Sequence, residues 1–184
     1  MPDRICTLAL LTALWLASCG WGGTVYDLDG AQVDPLSDRD GITVLVFASR
    51  ECPISNRYAP ELKRIAQAQA GYGVRFWLVY PDAQDDAAKL RAHTKAFDYG
   101  MRALRDPQHV LVKRAGVRVT PEVAVFTRTG DVAYRGRIDD RYVRLGQEQP
   151  SAQTHDLEDA LIAVLGGQAV RAPTTAAVGC AISD

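Results

Sequence analysis

The strongest pattern in the chain is an apolar, β-branched-rich run from Ile42 to Phe47, bounded by Gly41, followed by Ile54, Tyr58, Leu62, Ile65 and Ala66 at helical spacing. The run reads as a buried strand and the spaced residues as the core face of a helix. Gly71-Tyr72-Gly73 closes that helix, and Val74 to Tyr80 forms a second apolar strand ended by Pro81-Asp82. Asp85 to Phe97 places Ala87, Leu90, Thr94 and Phe97 on one helical face, with acids in the first turn where the helix dipole favours them. Ala103-Leu104 reads as a short strand, and Asp106-Pro107 as a helix start that stops by Gly116. Pro121 opens the next apolar run, Val123 to Thr127, and Thr129-Gly130-Asp131 turns it into Val132 to Arg137 as a hairpin. Ile138 to His155 has no clear period and reads as a long surface loop. A last helix from Asp156 offers Leu157, Leu161, Ile162, Val164 and Leu165 to the sheet and ends at Gly166-Gly167. Before all of this, Thr24 to Asp34 reads as a small hairpin turning at Asp29-Gly30, an added N-terminal ribbon. Alternating strands and helices imply an α/β domain with parallel pairing, and no internal repeat divides it.

Cys52 stands where the first strand hands over to the helix. A sulfur there faces unpaired N–H groups and the positive end of the helix dipole, which favour the thiolate. Such settings bring a cysteine pKa from about 8.5 to roughly 3.5–7.5. Arg50 and Arg57 add to this if their side chains turn toward the sulfur.

Strand, Cys52-Pro53-Ile54-Ser55, then a helix interrupted by Pro60 resembles the active-site turn of the thioredoxin superfamily. Ser55 takes the place of the second cysteine of C-x-x-C, and Glu51 stands where thioredoxins usually carry tryptophan. The longer stretch Glu51 to Leu62 is similar to the bacterial redoxins of the alkyl hydroperoxide reductase and thiol-specific antioxidant family, over roughly residues 24 to 182. The resemblance implies a central mixed β-sheet flanked by helices, here with an N-terminal β-hairpin extension. It also implies a cis bond between Thr120 and Pro121, with the Thr120 backbone facing the substrate. A glycine-cysteine pair near the C-terminus, Gly179-Cys180, is part of the same likeness, and it makes Cys180 a candidate resolving thiol in place of Ser55. A buried free cysteine, or one pairing between molecules, is the bland alternative for Cys180.

The beginning of the chain differs in kind. Arg4 precedes an apolar run from Ile5 to Ala17, too short to span a bilayer but fitting a secretory signal. Leu16-Ala17-Ser18-Cys19 resembles the bacterial lipobox, so Cys19 is expected to carry lipid and tether the domain to a membrane on the extracytoplasmic (periplasmic) side. Gly20 after it points to the outer membrane if the source is Gram-negative. The expected division is a signal peptide over 1–18, a tether over 19–23, the redoxin domain over 24–167 and a C-terminal tail over 168–184 carrying Cys180. Of four cysteines, Cys6 leaves with the signal and Cys19 is blocked, so Cys52 and Cys180 remain as a redox pair. With 47% hydrophobic and 23% charged residues and a net charge of −1, the composition fits one globular domain and no nucleic-acid surface.

The expected activity is thiol–disulfide exchange started by a Cys52 thiolate, with a reducing or oxidising thiol protein as partner and no cofactor. Thr120, Pro121 and Arg57 are the candidate substrate contacts, and Ser55 and Ser49 assist the sulfur. A peroxiredoxin-like thiol peroxidase acting on peroxide is the alternative. Ser49, three residues before Cys52, fits the hydroxyl position of the peroxiredoxin pattern, although Leu45 stands where that pattern has proline. Such chemistry needs donors for the O–O bond, for which Arg118, Arg135 and Arg137 are candidates. A non-catalytic binding module and a copper-delivery protein are further alternatives. The copper motif C-x-x-x-C is broken by Asn56, and His93, His109 and His155 read as surface residues, so no metal is expected. Asp85-Asp86 reads as a helix start and Asp139-Asp140 as a solvated turn.

Overall fold

A computed structural model describes residues 23–183. The predicted signal, Cys6 and Cys19, the residue expected to carry lipid, lie outside the described residues. Among those described, no helix is long and apolar enough to cross a membrane.

The first predicted strand, β2 (Ile42–Phe47), is buried at every position, because sheet neighbours flank it and helices cover both its faces. The short β1 (Tyr26–Asp27) precedes it, and β3 (Val74–Tyr80), β4 (Arg102–Arg105), β5 (Val119–Thr120), β6 (Glu122–Phe126) and β7 (Val132–Gly136) follow. Six of them make one mixed sheet in the order β1-β4-β3-β2-β6-β7. β2 pairs parallel with β3 and antiparallel with β6, with Val44 opposite both Phe76 and Val125. β3–β4 is parallel and β6–β7 antiparallel.

Strand alternation divides the core in two. Val44 and Val46 face a cluster with Tyr58, Leu62, Leu90 and Leu161, whereas Leu45 and Phe47 face a cluster with Trp77, Leu111, Val112 and Phe126. Helices α1 (Pro53–Gln69), α2 (Ala87–Phe97) and α4 (Asp156–Leu165) therefore cover one face, and α3 (Val110–Ala115) covers the other. Each fully buried large aliphatic or aromatic side chain here contributes roughly 1.5–3 kcal/mol. In α1 the buried residues Ile54, Tyr58, Leu62 and Ile65 follow the predicted helical spacing, with Pro53 at its first turn and Pro60 inside it.

Several expectations change. The N-terminal hairpin forms, with Val33 N–H donating to the Val25 carbonyl, but it is not a separate ribbon: β1 joins the main sheet antiparallel to β4. In α2 the buried residues are Leu90 and His93, while Phe97 is exposed. Asp86 caps this helix through the Lys89 N–H, but Asp85 is buried and bonds Arg50. Asp106 starts α3 from a distance. The helix begins at Val110, and the buried Asp106 carboxylate accepts from the N–H groups of Val110, Leu111 and Val112 at 2.7, 2.8 and 3.0 Å. Gly116 ends the helix with φ 71°, a left-handed conformation that glycine adopts without strain.

The expected surface loop over 138–155 is partly inside. Ile138, Asp139 and Tyr142 are buried, and the segment carries a small hairpin, β8 (Tyr142–Arg144) with β9 (Gln147–Glu148). Asp139 accepts the Tyr58 hydroxyl, a buried polar bond that no hydrophobic period reveals. Ile162 of α4 points to solvent at 66% exposure, because the helix rests on Leu157, Ala160 and Leu161. The C-terminal tail is also structured. It runs beside β7, where Arg135 N–H donates to the Pro173 carbonyl and Thr175 N–H to the Arg135 carbonyl, and ends in β10 (Cys180–Ala181), antiparallel to β5.

Asp106 holds three orphan N–H groups in a dry site, so Asp106→Ala is expected to destabilise the protein by about 2–4 kcal/mol, read from the urea midpoint. An unchanged midpoint would mean that these donors find other partners.

Candidate active site

The turn between β2 and α1 is short and internally bonded. Ala48 N–H donates to the Val79 carbonyl and keeps the chain in register past the strand end, and Cys52 N–H donates to the Ser49 carbonyl at 3.2 Å. Cys52 is the N-cap residue of α1, with extended backbone (φ −85°, ψ 111°), and its carbonyl accepts the Asn56 N–H. Its sulfur thus sits at the open end of the helix, as the spacing predicts.

Two chain segments distant in sequence close on that sulfur. Thr120–Pro121 is a cis peptide bond, as the resemblance implies, and the Thr120 carbonyl lies 2.9 Å from Cys52 Sγ, where it accepts the thiol proton. Cys180 on β10 stands opposite Thr120, and its Sγ lies 2.6 Å from Cys52 Sγ, inside van der Waals contact. Both cysteines are free. A disulfide needs sulfurs about 2.05 Å apart, so bond formation here requires only a small local movement.

The two thiols are driven in opposite directions. Burial pushes Cys52 up, but hydrogen bonds from the Cys180 thiol, the Ser55 backbone and hydroxyl, and the Cys180 backbone outweigh it, so its pKa lies below the ordinary value. Burial, and then the adjoining Cys52 sulfur as acceptor and as negative charge, push Cys180 up to about 11. Of the two, the Cys52 sulfur loses its proton first, and Cys180 keeps its own. In this geometry Cys52 is only 1% exposed, so the sulfur is covered.

The structure brings Ser55, Thr120, Pro121 and Cys180 together at Cys52 and leaves the other candidates apart. The Ser49 hydroxyl accepts the Glu51 N–H, a bond that serves the turn. Arg57 is 63% exposed and pairs with Glu148 at 3.1 Å, away from the sulfur. Arg135 donates to the Gly116 carbonyl and Arg137 to Asp156, while Arg118 is exposed beside β5. Arg50 turns toward Asp85 and Glu51.

A polar chain behind the turn was not legible in the sequence. His93 is buried, contrary to its surface reading. Its Nε2 donates to Asn56 Oδ1 at 2.8 Å, its Nδ1 accepts from the Tyr80 hydroxyl at 2.7 Å, and Asn56 Nδ2 donates to the Arg50 carbonyl at 3.1 Å. Burial and then the nearby Arg50 charge lower the His93 pKa, so the ring is neutral and suited to this relay. Tyr99 donates to the Ser55 carbonyl, and burial together with the Cys52 charge raises its pKa. The one available signal was His93 three positions after Leu90, on the same helical face. His109 touches the Pro81 carbonyl, and His155 is exposed beside Glu158. Glu61, His155 and Glu158 cluster closely, but Arg64 bridges both carboxylates and supplies their counter-charge.

Thiolate absorbance during a pH titration of the reduced protein is expected to rise in two steps, one below the ordinary cysteine range and one near 11. Because the Ser55 hydroxyl stabilises the Cys52 thiolate, Ser55→Ala moves the lower step up and leaves the upper one nearly in place. A lower step that does not respond to this substitution would contradict the assignment.

A family profile described as a thioredoxin-like domain matches residues 33–142. A search of curated protein sequences found no match. Among solved structures, the chain is similar to an uncharacterized conserved protein from Geobacillus kaustophilus, at 24% identity and a TM-score of 0.75 over 88% of both chains. It is also similar to a hypothetical protein from Sinorhizobium meliloti, at 26% identity and a TM-score of 0.74 over 86% of this chain and 88% of that one. A secreted Mycobacterium tuberculosis disulfide oxidoreductase homologous to Escherichia coli DsbE matches at 22% identity and a TM-score of 0.54, over 78% of this chain and 94% of that one. With a mixed sheet flanked by helices, a cysteine capping the helix after β2 and a cis-proline against it, the chain belongs to the thioredoxin-like domain family.

Proposed function

We propose that the protein is a thiol–disulfide oxidoreductase in which Cys52 attacks and Cys180 resolves. The observation that carries this reading is the 2.6 Å separation of the Cys180 and Cys52 sulfurs, with the two pKa values moved apart. The lowered pKa of the attacking sulfur favours its thiolate, and proximity makes the second attack intramolecular. Cys180 takes the part that Ser55 cannot, since serine forms no disulfide. Turnover then needs an external dithiol to reduce the Cys52–Cys180 bond, and the partner is a protein bearing thiols or a disulfide. A membrane tether through lipid on Cys19, placing the domain outside the cytoplasm, completes the proposal on the strength of the Leu16–Cys19 motif.

Peroxide reduction ranks second. It needs donors aimed at the O–O bond, and the Ser49 hydroxyl, Arg135 and Arg137 are engaged with the Glu51 N–H, the Gly116 carbonyl and Asp156. Copper delivery is disfavoured because Asn56 and His93 bond each other in the relay behind the turn.

Reduced protein should cleave the disulfides of insulin in the presence of dithiothreitol, and Cys52→Ser should lower that rate at least about 100-fold. Cys180→Ser is expected to spare the first attack and accumulate a one-to-one mixed disulfide with the substrate. Cys52-dependent loss of hydrogen peroxide with insulin untouched would instead establish the peroxidase.

A further inference from the structure

The C-terminal strand occupies a backbone edge beside the reacting sulfur. β10 lies antiparallel on β5, with Cys180 opposite Thr120 and Ala181 opposite Val119, and the Ile182 N–H donates to the Arg118 carbonyl at 3.0 Å. Gly179 is pressed onto the same edge: a Cβ there would stand 2.2 Å from the Thr120 carbonyl oxygen, far inside contact, so only glycine fits. Val178 and Ile182, two positions to either side of Cys180, pack against the two halves of the core. The segment is an extended chain carrying a cysteine to Cys52, with its neighbouring positions read by the protein.

We propose that β10 is a tethered mimic of the substrate. A partner's chain takes its place on the β5 edge once β10 leaves, as an extended segment with glycine just before its cysteine and apolar residues two positions to either side. This rests on the exchange reading above and adds the class of chain that it acts on.

Competition for one edge also couples the chemistry to release. The Cys52 thiolate attacks the partner's disulfide; the Cys52–partner bond forms, the partner's own S–S bond breaks, and the departing thiolate takes a proton from water. β10 then returns, and Cys180, losing its proton to solvent, attacks the Cys52 sulfur. The Cys52–Cys180 bond forms, the mixed disulfide breaks, and the partner's second thiolate leaves and is protonated. The partner gains two electrons and the dithiol loses two. The strand that resolves the bond also reclaims the backbone partners of the product.

The test mixes full-length reduced protein with peptides Val-Gly-Cys-Ala-Ile and Val-Val-Cys-Ala-Ile, each activated at cysteine as a thionitrobenzoate disulfide. Release of the coloured thiol is followed by stopped flow, with Ellman's reagent as a probe that needs no strand pairing. The glycine peptide is expected to react about tenfold faster than the valine peptide, the discrimination of one lost strand register. Ile182→Pro removes the donor to Arg118, and Gly179→Val drives a side chain into the Thr120 carbonyl. Each is expected to loosen β10 and raise the glycine-peptide rate about fivefold to tenfold, as the loss of one docking hydrogen bond implies. Equal rates for the two peptides, or rates unchanged in both variants, overturn the mimic while exchange stands through the reaction with Ellman's reagent. Failure of Cys52 to react with any of the probes overturns the exchange reading and the mimic together.

Discussion

The structure depends on one sulfur held between a helix end and a carbonyl. Cys52 caps α1, its thiol meets the Thr120 carbonyl, and the Cys180 thiol points at it from the other side. The helix end and the donors favour the thiolate, whereas burial and the carbonyl favour the thiol. The donors outweigh burial, which leaves a sulfur that deprotonates readily but is covered. Much of the rest of the fold keeps these pieces within bonding distance. β2 delivers Cys52 from the centre of the sheet, and its antiparallel neighbour β6 fixes the cis-proline turn that precedes it.

The polar groups behind the turn have a different task. His93, Asn56 and the Arg50 carbonyl form a relay of hydrogen bonds, while Arg50 itself is held by Asp85. Buried polar groups of this kind are costly unless each is satisfied, and once satisfied they make a rigid support. Tyr99 does the same for the Ser55 carbonyl. The turn is thus clamped from behind, and in front of it lies β10, a two-residue strand that the proposed exchange displaces. Rigid support with a detachable cover suits a thiol that must be protected when idle and exposed when a partner arrives.

The sheet and its helices were legible because their periods are strong. Ile42 to Phe47 is apolar throughout, and the helical spacing from Ile54 to Ile65 is regular, so the address of Cys52 followed from pattern alone. What pattern could not reveal were features set by single polar contacts between distant segments. Asp106 reads as an N-cap, but the helix it bonds starts at Val110. His93 and Asp85 look like surface residues until the turn folds over them, and the stretch from Ile138 to His155 looks like a loop because its buried Asp139 and Tyr142 follow no period. The tail was recognised only through its cysteine. Its pairing with β5 rests on Gly179 fitting against a backbone carbonyl, which hydropathy does not register. Arg57 and Ser49 are near Cys52 in sequence but turned elsewhere, a reminder that spacing along a turn does not give direction.

The central claim is that Cys52 and Cys180 act as one redox pair. Peptide mapping by mass spectrometry after mild oxidation of the full-length protein tests it most directly. The account predicts a single crosslinked peptide joining Cys52 to Cys180, lighter by two hydrogens than the sum of its parts. Recovery of both as unpaired thiols, or of Cys52 joined only to a second molecule, would contradict it.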